Sequence, residues 1–274
     1  MKKKKQTIAI QYACLILIAV AFLIPCLWLV MASLDFSAGP MIKFPEEPTI
    51  ENYVNVFKNP DNIRGFLNSF LLAGGTAFLT IFCSLLAAYP LSRYKLRGKA
   101  KFMYAILFMT SLPINAILVP VFKLFVNFGI QDNIFSLILF MTATNLPYAI
   151  WMTKNFMDSV PVSLEEAAKV DGATSLKALK DIIIPLMKPG IFTVVIYVFT
   201  GVWGNFFVPF ILLQSASKQT ASVRIYQYFQ GAGFIEYGNL AAYSVIYMIP
   251  CVVLYALAQK YMSKGFAMGG ADKG

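Results

Sequence analysis

The chain has 274 residues, 58% apolar and only 13% charged, with a mean hydropathy of +0.67. Soluble domains carry about 25% charged residues, so a soluble fold is excluded and a bilayer must be the solvent for much of this chain. The net charge of +10 lies in short clusters between apolar runs, which is not a nucleic-acid-binding face. Histidine is absent, which removes His-ligated metals, Ser-His-Asp catalysis and imidazole relays.

A membrane-spanning helix needs about 20 mostly apolar residues. Six uncharged runs meet that length: Gln6–Leu34, Gly65–Ser92, Phe102–Phe122, Asn133–Thr153, Pro189–Ser217 and Tyr237–Gln259. They predict an all-α integral membrane fold, a single domain over 1–274. Its six transmembrane helices are expected at about 8–33, 67–91, 102–124, 132–153, 189–213 and 238–261. The first run follows Lys2–Lys5 but is longer than a signal-peptide core of about 7–15 residues, so it reads as a retained span. Cys14, Cys26, Cys83 and Cys251 lie within the runs, form no CxxC pair, and read as small packing residues.

Lys and Arg placement sets the expected orientation. With the N-terminus inside, segments 1–5, 93–101, 154–188 and 260–274 hold 17 of the 23 Lys and Arg. The outside segments 35–64, 123–132 and 218–236 hold the other 6. Both termini are therefore expected in the cytoplasm. No Asp, Glu, Lys or Arg falls inside the six uncharged runs to serve as an ion or proton relay.

In the first outside segment, Ile50, Tyr53, Val54 and Phe57 follow Thr49 at helical spacing. They predict a short amphipathic helix with a Thr cap, on the membrane surface or on the helix ends. The outside connections otherwise show no chemistry. The long inside segment 154–188 is more structured. Ser163 and Glu166 have capping-box spacing, and Gly172 is a helix stop. A second helix is expected from Thr174 or Ser175 to Ile184, ended by Pro185. The product is a helix–glycine–helix elbow with small residues at Ala167, Ala168, Gly172 and Ala173. On physical grounds it is either a partner's docking surface or a solvated connector.

Glu166-Ala-Ala168, Gly172 and Ile182-x-Ile184-Pro185 resemble the EAA signature of bacterial ABC importer permeases, with Ile184 where the family usually has Leu. Asn68-Ser69, Ala88-Tyr-Pro-Leu-Ser-Arg-Tyr94, Leu146-Pro-Tyr-Ala-Ile-Trp151, Asp158-Ser-Val-Pro161 and Gly201-Val-Trp-Gly-Asn205 with Pro209 extend the resemblance along the chain, as do Gly265 and the tail 269–274. Together they are similar to the carbohydrate-uptake branch and its maltose-permease G-component type. The resemblance implies a type I ABC importer permease-like fold in a prokaryotic cytoplasmic (inner) membrane. It implies a second homologous permease subunit, two ATPase subunits and an extracytoplasmic solute-binding protein as partners, with membrane lipid around the chain, a carbohydrate solute and no nucleic acid. It assigns ATPase coupling to Glu166, Ala167, Ala168, Asp171, Gly172, Ile184 and Pro185, within the 163–185 part of the coupling loop 154–188.

No GxxxxGK[ST] phosphate loop occurs, so the chain is expected to be a non-catalytic subunit without a cofactor, ATP and Mg belonging to the ATPase chains. Asn145, Trp203, Asn205 and Pro209 are candidate translocation-pathway residues. Trp203 suits stacking on a sugar ring, whereas asparagines also bond between helices as packing groups. Pro113, Pro120, Pro147, Pro209 and Pro250 lie within runs and suit a cavity that opens and closes, or are ordinary kinks. An ATP-independent channel or carrier for a neutral solute is the alternative; a membrane enzyme would have few usable groups.

Overall fold

The computed structural model describes residues 2–111, 113–230 and 235–269. Regular structure among them is helical throughout. In a hydrocarbon solvent a helix satisfies every backbone group within its own segment. Four stretches are long and apolar enough to cross a membrane. They are Ile10–Ser33 within α1 (Lys2–Ser33), α3 (Pro60–Arg93), α6 (Ile134–Asp158), and Tyr237–Gln259 within α13 (Tyr237–Gly269). Two bent pairs raise the total to six if each counts as one span. One joins α4 (Lys99–Thr110) to α5 (Ile114–Asn127), and the other joins Ser175–Leu186 to α10 (Lys188–Trp203) across an 80° bend. The glycine-rich tail from 270 to 274 lies outside the described residues.

Two expected continuous spans are interrupted. The third stops at Thr110 and restarts at Ile114, because Pro113 holds an extended backbone (φ −69°, ψ 114°) and has no N–H to carry the ladder onward. The fifth stops at Trp203 and resumes as α11 (Phe207–Leu212). Proline does not end the others: Pro90, Pro147 and Pro250 sit inside α3, α6 and α13.

The chain forms two compact units, residues 1–63 with 224–249, and residues 64–223 with 250–274. In the first, α1 is exposed all along Ile10–Pro25. Helix α2 (Glu51–Lys58) forms as expected, and Thr49 Oγ1 accepts from the Glu51 N–H at 3.1 Å. Ile50, Val54 and Phe57 are exposed, while Asn52 and Val56 are buried. Asn52 turns inward because its Nδ2 donates to Ser33 O at 3.1 Å and Asp35 O at 3.0 Å, satisfying carbonyls left open at the end of α1. A Cβ on Gly238 would come within 2.6 Å of the Asn52 amide, so only glycine admits this approach.

In the second unit, α3, α4 and α6 meet around Leu91, Ile106 and Ile150. A Cβ on Gly75 of α3 would lie 2.9 Å from Ile138 of α6, and one on Gly190 of α10 would lie 2.4 Å from the Phe156 ring. Glycine thus brings α3 and α10 close against α6. At the Arg93 end of this unit, Ala88, Tyr89, Met157, Val160, Leu179, Ile183 and Met187 form one buried cluster, with Phe156, Ile184 and Ile191 packed on it.

Candidate functional site

That cluster is the floor on which the segment after α6 is built. Helix α7 (Val162–Val170) starts directly after Pro161, whose φ of −56° fits a helix entry. The expected capping box is absent. Ser163 is already helical and no side chain caps the start, because the proline sets the first turn two residues too early for Ser163 to stand outside it. The stop is as expected. Gly172 has φ +82°, its N–H donates to Lys169 O at 3.1 Å, and the Ala173 N–H donates to Ala168 O at 2.9 Å. These two bonds are a complete Schellman closure.

The next helix, α8 (Ser175–Ala178), is capped by Thr174 Oγ1, which accepts from the Lys177 N–H at 3.3 Å. It does not end at Ile184. It widens into a π turn at Leu179–Ile183 and continues as α9 (Ile184–Leu186), with Ile184 helical (φ −57°, ψ −46°). The wide turn relieves the clash that a proline ring makes with the carbonyl four residues earlier, so Pro185 is carried inside the helix and the bend falls at Met187.

Only Glu165 and Ala168 of α7 are buried. Glu166, Ala167, Asp171 and Gly172 form an exposed face, extended by Leu164, by Val170 at 88% exposure, and by Leu176. Ala168 points away from that face. Ile184 is half-buried on the cluster below, and Pro185 is exposed.

The residue that sequence reasoning passed over is Glu165, 2% exposed. Tyr89 Oη donates to its Oε1 at 2.5 Å, and Arg93 Nε donates to its Oε2 at 2.9 Å. Lys169, one turn along α7, reaches Oε1 at 2.8 Å. Arg93 Nη2 also donates to Val160 O at 3.1 Å. Beside them, Ser92 Oγ donates to Asp158 Oδ1 at 2.6 Å, and Lys154 pairs with Asp158 at 2.5 Å. Burial pushes the Glu165 carboxyl upward, but hydrogen bonds from Lys169 and Tyr89 and the positive charges of Lys169 and Arg93 more than reverse this and hold it below its ordinary value. It is a buried carboxylate kept ionised by three donors. No spacing rule marks it, since Tyr89 and Arg93 lie 76 and 72 residues earlier in sequence.

Of the four pathway candidates, Trp203, Asn205 and Pro209 sit at the break between α10 and α11, and Asn145 lies on α6. Trp203 is 2% exposed, with its ring against Phe70 (centroids 4.7 Å apart) and Phe199 (5.6 Å). It is a packing residue in this structure and presents no face to a sugar. Asn205 serves the interruption itself. Its Oδ1 accepts from the Val208 N–H at 3.0 Å, capping α11, and its carbonyl accepts from Ser222 Oγ at 2.9 Å. Pro209 is buried within α11. Asn145 lies on α6 and donates back to Met141 O at 2.8 Å.

The connections at the other end of α6 are not passive. Asp132 Oδ1 accepts from the N–H groups of Gln214 (2.9 Å) and Ser215 (3.1 Å), and its Oδ2 from Ser215 Oγ and from Lys218 at 3.1 Å. Asn68 Nδ2 donates to Ser217 O and Gln219 O at 3.0 Å, and Ser69 Oγ accepts from the Ala221 N–H at 2.8 Å. Segment 214–221 is therefore tied to both α3 and the turn before α6.

Several apolar helices, two interrupted spans and a braced elbow carried on span ends define a multi-pass helical membrane protein. Residues 80–267 match the family described as "Binding-protein-dependent transport system inner membrane component", and the chain belongs to it. It is an ABC transporter permease subunit of the inner membrane, and the signature residues 166–185 fall inside the match. The chain is 31% identical over 252 residues to the sulfoquinovosyl glycerol transport system permease protein SmoH of Agrobacterium fabrum, covering 90% of this chain and 88% of that one. It is 31% identical over 261 residues to the trehalose/maltose transport system permease protein MalG of Thermococcus litoralis, covering 93% of each. A chain of a bacterial ABC transporter involved in the import of the acidic polysaccharide alginate has the same fold. Its TM-score is 0.82 at 22% identity, over 95% of this chain and 98% of that one. A chain of the bacterial alginate ABC transporter in complex with an alginate pentasaccharide-bound periplasmic protein matches with a TM-score of 0.70 at 19% identity, over 93% and 94%.

Proposed function

We propose that this subunit moves a sugar or oligosaccharide across the membrane by alternating access, driven by ATPase chains that dock on α7. The observation that carries the reading is the exposed face Glu166, Ala167, Asp171 and Gly172 on a helix whose far side is fixed to the end of α3. Ala168 supports it from below, and Ile184 and Pro185 carry the elbow into α10. Both termini and the elbow lie in the cytoplasm on this reading, in keeping with the distribution of Lys and Arg. The chain itself is non-catalytic. ATP and Mg are held by two ATPase subunits, a second homologous permease completes the gate, and an extracytoplasmic solute-binding protein delivers the solute.

A carbohydrate is supported by relatives whose names specify trehalose/maltose and diacetylchitobiose. The interruption at Asn205 and Pro209, with Asn145 on α6, is the part of this subunit placed beside the pathway, and Trp203 supports the break from within. Affinity purification from cells expressing the whole operon tests the reading. An ATPase chain and a second permease are expected in the purified assembly, with radiolabelled oligosaccharide uptake into proteoliposomes requiring ATP. Uptake that persists without any nucleotide-binding chain overturns it.

A further inference from the structure

We propose that Glu165 is the joint through which movement of α7 reaches helix α3, with Tyr89 and Arg93 as its socket; this rests on the docking reading above. Helix α7 has nine residues and buries only two of them, one an alanine. Of its apolar side chains only the Ala168 methyl is buried, while Val162 and Leu164 stay about half exposed. What holds α7 to the span ends is the Glu165 carboxylate, with Oε1 bound to Tyr89 and Oε2 to Arg93.

Tyr89 and Arg93 are four residues apart at the end of α3, so they rise from one face of its last turn and grip both oxygens. The Arg93–Glu165 pair is nearly dry, with side chains 4% and 3% exposed. Arg93 also holds Val160 O, directly before the proline that starts α7. One guanidinium therefore fixes both the entry to α7 and its first turn. Apolar contact resists separation but is non-directional and permits sliding, whereas these directional bonds resist pull and twist alike. A push or pull on the exposed face is thus delivered to the last turn of α3. Glu165 is a positioning residue. It stands one residue before Glu166 and faces the opposite way.

The test uses the assembled importer in nanodiscs and hydrogen exchange with and without ATP plus vanadate. In the unaltered importer, nucleotide is expected to slow exchange in both 162–172 and 85–93. With Glu165→Gln, 162–172 is expected to respond as before, while the response of 85–93 falls at least threefold. Tyr89→Phe is expected to act in the same direction and carries the test if Glu165→Gln lowers the yield of assembled importer. Glu166→Gln, on the exposed face, is expected to weaken the response of 162–172 itself. An undiminished 85–93 response in both Glu165→Gln and Tyr89→Phe overturns the joint. A 162–172 segment indifferent to nucleotide in the unaltered importer overturns the docking reading, and the joint with it.

Discussion

The Tyr89 hydroxyl donates a 2.5 Å hydrogen bond to the buried carboxylate of Glu165, 76 residues further along the chain. The same carboxylate pairs with Arg93 in a site closed to water. Removing one member of a buried pair leaves an uncompensated charge, which costs about 3–5 kcal/mol. Glu165→Ala is expected to lower the melting temperature of the purified chain more than Glu166→Ala, because Glu166 is exposed. Equal losses from the two substitutions, measured in detergent by tryptophan fluorescence, would contradict the assignment.

The lowered pKa of Glu165 makes its contribution pH-dependent in a defined direction. A carboxyl depressed in the folded state stabilises fully above its unfolded value of about 4.3 and loses that contribution as pH falls through the folded value. The stability gap between the unaltered chain and Glu165→Gln is expected to stay constant from neutral pH down to about pH 5 and to close below about pH 4. A gap that closes near neutral pH would mean the carboxyl is not held ionised.

Gly172 stands at φ +82°, where a side chain other than Asn or Asp is strained by about 1–2 kcal/mol. Gly172→Val is expected to open the Schellman closure and separate ATP hydrolysis from uptake, whereas Gly172→Asn retains most coupling. The check is the ratio of solute moved to ATP hydrolysed in proteoliposomes. An unchanged ratio for Gly172→Val counts against docking through this turn.

A Cβ on Gly190 would fall 2.4 Å from the Phe156 ring, so Gly190→Ala forces α10 away from α6. Overpacking of this kind costs about 1–3 kcal/mol. Combined with Phe156→Ala, it is expected to cost less than the sum of the two single changes, since alanine removes the Cγ and Cδ1 atoms that the new methyl strikes. Strict additivity of the two changes would show that they do not meet.

Asp132 accepts two backbone N–H bonds from Gln214 and Ser215. Each is worth roughly 0.5–1.5 kcal/mol. Asp132→Ala is expected to speed amide exchange at those two positions by roughly tenfold. Asp132→Asn is milder, because Asn still accepts and tolerates the positive φ of 52° at this position. Exchange at α6 residues such as Met141 serves as the control.

Much of the fold could be read from composition and run length, since a span is a matter of about 20 apolar residues. Gly172 and Thr174 were equally legible because each does a local job, a left-handed turn and a cap. Local rules also misled. Ser163 and Glu166 have the spacing of a capping box, but Pro161 starts the helix first. Pro185 has the mark of a terminator, but a π turn makes room for it. Glu165 was hidden for a different reason. Its partners are close only in space, and the signature beside it drew notice to Glu166. The inward turn of Asn52 on α2 was hidden likewise, because the carbonyls it serves, Ser33 O and Asp35 O, lie 19 and 17 residues earlier.

The π turn at Leu179–Ile183 also sets an angle. An α-helix turns about 100° per residue, and a π turn accommodates one extra residue without ending the helix. Helix α8 is therefore rotated about the helix axis, by about 100° from where an unbroken α-helix would set it relative to α9. Deleting one residue between Leu179 and Ile183 would restore an ordinary ladder and swing the elbow about its axis while leaving α10 in register. The facing of the elbow thus depends on the length of this turn, and one residue fewer would carry Glu165 out of its socket of Tyr89 and Arg93.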